Sequence, residues 1–129
     1  MLVPQPWRKN AMKYLMLVCR DVDDSPVPPT PDDRDAAPDV DQWWQSANDA
    51  GKYVMGDRLR PAVEAMTVRV RGGELLVSQG PFTEASELVA GFDVLDCESM
   101  QEAVEIASGH AMAYEGAIEL RAMWPFDEG

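Results

Sequence analysis

The chain has 129 residues and 46% hydrophobic content, the size of one globular domain that buries about two-thirds of its unfolded surface without needing disulfides or a metal. Its longest apolar run, Tyr14–Cys19, is far too short to cross a membrane, and no apolar leader stretch accompanies Lys9 and Lys13, so neither a transmembrane helix nor a secretory signal is expected. A net charge of −12 repels phosphate backbones and argues against nonspecific nucleic-acid binding.

Residues 1–12 read as an N-terminal extension, because Pro4 and Pro6 preclude regular structure; residues 13–126 read as a single domain. Lys13–Arg20 is an almost continuously apolar strand, the pattern of a central strand buried on both faces. Residues 21–38 carry five prolines (Pro26, Pro28, Pro29, Pro31 and Pro38) and no periodicity, which predicts an acidic loop with polyproline character. Eight Asp against the single Arg34 in residues 21–41 form either a solvated surface or a contact for a basic partner.

The first helix is expected over Val40–Ala50, with Asp39 as cap, Gln42 in a capping-box position and Gly51 as the left-handed exit. Of its adjacent tryptophans, Trp43 and Trp44, one should anchor the helix and the other face a loop, a pocket or a second subunit. Lys52–Gly56 reads as a second strand. Ala65–Arg71 and Glu74–Ser78 form a hairpin around Gly72-Gly73, with one face expected to be buried and the other wet. Leu88–Leu95 is a further strand, Ser99–Ser108 a second helix with Ser99 and Glu102 as a capping box, and Ala117–Met123 the last strand. Strand, helix, strand, hairpin, strand, helix, strand is a split β-α-β order, which predicts an α+β, ferredoxin-like antiparallel sheet with two main helices on one face.

The run Ser78-Gln79-Gly80-Pro81-Phe82-Thr83-Glu84 joins a backbone break to an aromatic and a carboxylate. With Ala50-Gly51, Tyr53–Gly56, Leu59-Arg60-Pro61, Met66–Val70, Gly72-Gly73, Glu87, Ala90-Gly91-Phe92, Glu102-Ala103 and Ile118–Arg121 in that order, the chain resembles the YCII-related, DGPF-domain family from about Lys13 to Met123. The resemblance implies a ferredoxin-like fold, a homodimer with packed sheets of the dimeric α/β-barrel type, and no settled reaction. In the broader group a His and an Asp in a cleft look like an active site. The first helix region here has no histidine to match it. The family's leading Asp is Gln79 here, which cannot titrate near neutrality, the lysine common between its two glutamates is absent from Glu84-Ala85-Ser86-Glu87, and Ala122 stands where a proline commonly closes the last strand.

Gly80-Pro81-Phe82 is therefore either a strand-ending turn with Phe82 in the core or the wall of a cleft. Glu84 and Glu87 could face one side of a short turn, with Glu84 presented to a ligand. His110, read at the end of the second helix, is a capping histidine whose imidazolium the helix terminus favours, or a catalytic group. Arg58, Arg69 and Arg121 would bind an anion if their strands met. The expected ligand lining is Phe82, Glu84, Trp44 and Arg58, with Glu84 and His110 the catalytic candidates. No cofactor and no metal site are expected, since the only histidine and the scattered Cys19 and Cys97 lack ligand spacing. Two cysteines without a C-x-x-C pair suggest reduced thiols and a cytoplasmic setting. The expected function is small-molecule binding beside the Gly80 turn, with or without catalysis; the alternative is an interaction module using the acidic residues 21–41.

Overall fold

The computed structural model describes residues 12–22 and 24–128. The expected extension lies outside the described residues except for Met12, which already belongs to the first strand. The strands are β1 (Met12–Cys19), β2 (Tyr53–Arg58), β3 (Met66–Arg71), β4 (Glu74–Gln79), β5 (Val89–Cys97) and β6 (Ala117–Ala122). The helices are α1 (Pro31–Ala36), α2 (Val40–Asp49), α3 (Met100–Ala107) and α4 (Ala111–Glu115). They build an α+β domain around a four-stranded antiparallel sheet in the order β2-β5-β1-β6, with β3 and β4 as a separate two-stranded ribbon.

The apolar run of β1 does mark a central strand, flanked by β5 and β6. Its two faces differ, however. Tyr14, Met16 and Val18 are buried, whereas Leu15, Leu17 and Cys19 on the opposite face are half-buried. Strand alternation explains this: only one face meets the helices. That face joins Leu95 and Cys97 of β5 to Trp43 of α2 and to Ala103 and Ala107 of α3, the small alanines letting α3 approach the sheet. Cys19 and Cys97 are free thiols at opposite ends of the β1–β5 pairing, where Cys19 faces Val89 and Cys97 faces Met12.

Local chemistry sets the helix ends. Ser99 accepts from the Glu102 N–H at 3.1 Å, while the Glu102 carboxylate reaches one residue beyond the cap, to the Glu98 N–H at 2.9 Å, and pairs with Lys52 at 3.1 Å. Asp39 caps α2 through the Asp41 N–H, and Gln42 takes no part in the cap. The Pro-rich segment is not wholly loop. Thr30 and Asp33 form a reciprocal capping box around Pro31 and start α1, a pattern that the proline count obscured.

The hairpin turns at Gly72 and Gly73 with φ of +57° and +79°, the left-handed pair that a two-residue turn demands. Gly80 also has positive φ, +99°, and ends β4. Its N–H donates to the Ala65 carbonyl at 2.6 Å, the Thr67 hydroxyl donates to its carbonyl at 2.8 Å, and the Gln79 amide donates to the Val63 carbonyl at 3.1 Å. The Gly80-Pro81 run thus ties the base of the ribbon to the segment before it.

Candidate functional site

A cleft of about 450 Å³ opens on the helix-covered side of the sheet, between α2, the ends of β2 and β5, and the α3–α4 junction. Its walls include Trp43, Trp44, Tyr53 and Met112, and its polar groups are Asp41, Arg58, Asp93 and His110; Phe92 and Asp57 also border it, but they pair with each other and with Leu17 on the opposite face of the sheet.

The two tryptophans divide the work that a helix can give to neighbours 100° apart. Trp43 is 9% exposed, donates its indole N–H to the Ile106 carbonyl at 2.8 Å and locks α2 onto α3. Trp44 is 42% exposed and stands edge-to-face with Tyr53, ring centres 6.0 Å apart. Tyr53 also meets Trp43 edge-on at 6.2 Å, so the three rings form one aromatic corner.

Asp93 occupies the floor through a specific backbone arrangement. It pairs in register with Gly56 on β2, and a Cβ on Gly56 would collide with the Asp93 carboxylate. The irregularity in β2 between Tyr53 and Met55 turns Tyr53 toward the same carboxylate, so that its hydroxyl and the Asp93 carboxylate both lie against Gly56. Burial raises the Asp93 pKa above its usual range, an effect only partly offset by the Tyr53 hydroxyl. Burial, then the nearby Asp93 charge, pushes the Tyr53 hydroxyl up to about 12, so it remains a donor at neutral pH. Glycine inside a strand signals close approach of another group. Gly56 in Tyr-Val-Met-Gly was the available clue to this pair, which residue-type patterns alone do not reveal.

His110 is buried and caps the start of α4, rather than the end of α3: its Nδ1 accepts the Met112 N–H at 2.9 Å. Its ring stands edge-on to Trp43 at 4.8 Å. The bond to Nδ1 assigns the neutral ring's proton to Nε2, so His110 is a donor in this arrangement. Burial lowers its pKa, opposite to the imidazolium that the end of α3 alone would favour. The sequence could not show that a second, five-residue helix begins one residue later.

Of the expected lining, Trp44 and Arg58 meet at this cleft, and His110 joins them. Phe82 and Glu84 are not among its lining residues. Phe82 is 66% exposed, and Glu84 borders a separate, more polar groove with Arg20, Asp21, Asp24 and Glu87. Arg58 and Arg121 lie on the two opposite edge strands and Arg69 on the separate ribbon, so the three do not converge. Among the described residues no three His, Cys, Asp or Glu side chains are grouped to hold a metal ion, and no helix is long and apolar enough to cross a membrane.

The chain is 36% identical over 83 residues to an uncharacterized protein of Rhizobium meliloti (strain 1021), a match covering 63% of this chain and 67% of that protein. The family model for the YCII-related domain matches residues 12–127, the whole sheet with its helices and cleft, and the chain belongs to that family.

Proposed function

We propose that this YCII-related protein binds a small, flat and largely apolar molecule in the cleft between α2, β2 and β5. The observation that carries this reading is the aromatic wall of Trp43, Trp44 and Tyr53 around a space of about 450 Å³, into which only a few polar groups converge. Small-molecule sites combine these features in this size range. Any proton transfer there would run through Asp93, because the His110 Nδ1 lone pair is engaged by the backbone. The ligand on this reading lies away from the Gly80 turn. A thermal-shift screen tests it: hits should be lost in Trp44→Ala and kept in Glu84→Ala. The reverse pattern would move the ligand to the groove beside Glu84 and overturn the reading.

The strand order β2-β5-β1-β6, with the β3–β4 ribbon inserted before β5, supports a ferredoxin-like fold. Half-buried Leu15 and Leu17 on the face away from the helices support a homodimer formed by sheet packing. Light scattering at micromolar concentration should give twice the chain mass, and a monomer would refute it. The second reading, an interaction module, draws on α1, whose Asp32, Asp33 and Asp35 are all exposed. Its mark would be a basic partner lost when residues 21–41 are neutralised.

A further inference from the structure

We propose that the molecule held in this cleft is an organic cation, an amine carried on a flat apolar body. The inference rests on the cleft being a ligand site and adds the charge of its occupant. The charged side chains on the cleft side are two carboxylates, Asp41 and Asp93, against the single guanidinium of Arg58. Asp93 is the innermost clue. Its carboxylate is packed over Gly56 beside the Tyr53 hydroxyl, and among the described residues no Lys or Arg forms an ion pair with it. An ionised carboxylate offers about four acceptor positions, so one phenol leaves most of its capacity unused.

An ammonium group beside Asp93 would supply the donors and the opposite charge that burial denies it. The same position lies against the corner formed by Trp44 and Tyr53, whose rings cross at 74° and provide the π faces that attract cations over neutral isosteres. An anion would meet the opposite balance: repulsion from the carboxylates, a partly dry floor, and attraction from Arg58 alone. The net charge of −12 favours the approach of cations for the same reason.

Three probes of nearly one shape test this on the unaltered chain: phenethylamine, phenethyl alcohol and phenylacetate, titrated against the amide NMR spectrum at low ionic strength. The amine should bind about tenfold or more tighter than the alcohol, the worth of one charge-assisted hydrogen bond, with phenylacetate weakest. In Asp93→Asn, checked for folding by circular dichroism, the amine should fall to the level of the alcohol in that same variant. Equal binding of amine and alcohol to the unaltered chain would leave the cleft a ligand site and overturn the cation proposal. Tightest binding of phenylacetate would do the same and make Arg58 the selector. No perturbation of cleft amides by any probe would overturn both the cation proposal and the binding reading beneath it. The three-probe comparison needs no variant to fold.

Discussion

Asp93 shows what burying a carboxylate costs the folded chain. Its pKa is raised by burial, so ionising it costs the folded chain more than the unfolded one. The stabilising contribution of the protonated form is full below the ordinary value of 3.8 and is lost as pH rises through the raised folded value. At pH 7 the penalty is present in full. Asp93→Asn should therefore melt at a higher temperature than the unaltered chain at pH 7, with the gain shrinking as the pH approaches 4; a lower melting temperature at pH 7 would show that the Tyr53 hydroxyl outweighs desolvation. His110 has the opposite sign. Burial depresses its pKa below 6.5, so its contribution is present above that value and is lost as pH falls through the folded value. Protonation also places a proton on Nδ1 against the Met112 N–H and breaks the cap. Thermal stability should fall as the pH drops below 6.5 through the depressed folded value, and His110→Asn, which retains a capping oxygen without titrating, should flatten that fall. An unchanged slope in His110→Asn would assign the pH dependence to other groups. Neither residue declared its role in the sequence. Asp93 reads as one polar position in an otherwise apolar strand, and His110 reads as the end of α3, because the contacts that define them come from Gly56 on β2 and from a helix too short for periodicity to reveal.

At the level of elements, α2 carries both the fold and the site on consecutive residues. Trp43 fills the space between α2, α3 and β1 and bonds the Ile106 carbonyl, which also accepts the Gly109 N–H, so Trp43→Ala leaves a cavity and removes the bond that ties α2 to α3. A loss of about 3–5 kcal/mol is expected in denaturant unfolding. Trp44 is almost half exposed, and Trp44→Ala should change stability by about 1 kcal/mol or less while removing one ring of the aromatic corner. Similar losses for the two variants would mean that the neighbouring rings do not divide anchoring from lining. The helical stripe predicted this division without saying which ring took which role, since the crossing of α3 decides it. Most elements were legible to within a residue or two because β1, β5 and α3 have strong periodicity and clear caps. Two were not. The α1 helix buries no residue and so has no apolar stripe, although Thr30-Pro31-Asp32-Asp33 carries its start signal. The α4 helix spans five residues, less than two turns, and owes its start to His110.

Across the whole molecule, the sheet order brings sequence-distant strands together: β1 pairs antiparallel with β5, which follows the β3–β4 ribbon, and with β6, which follows α3 and α4. The β3–β4 ribbon stands outside this unit, so the face that its alternation marks for burial, Met66, Val68, Val70, Leu75 and Val77, is exposed instead. Its presence was readable from Gly72-Gly73 and alternation, but its separation from the main sheet was not, because the same alternation suits any edge position. Charge acts on all these elements together. The chain carries 23 Asp and Glu against 11 Lys and Arg, and Asp24, Asp32, Asp33, Asp35, Asp39 and Asp41 are exposed. Exposed opposite-charge pairs such as Arg60–Glu64, at 2.8 Å, contribute about 1 kcal/mol or less each and cannot offset a net charge of −12. Folding compresses that charge, so repulsion opposes the native state, and the opposition is screened once the Debye length falls to about 8–10 Å. The melting temperature and the urea midpoint should both rise as sodium chloride is increased from about 10 mM to about 150 mM, most of the gain coming within that interval. Neutralising Asp32 and Asp35 together should reproduce part of the rise at low salt and reduce the remaining salt response, because neither side chain is buried. A melting temperature that fell with salt would show that attractive pairs outweigh the net repulsion, and the acidic surface would then be a balanced network rather than a load on the fold.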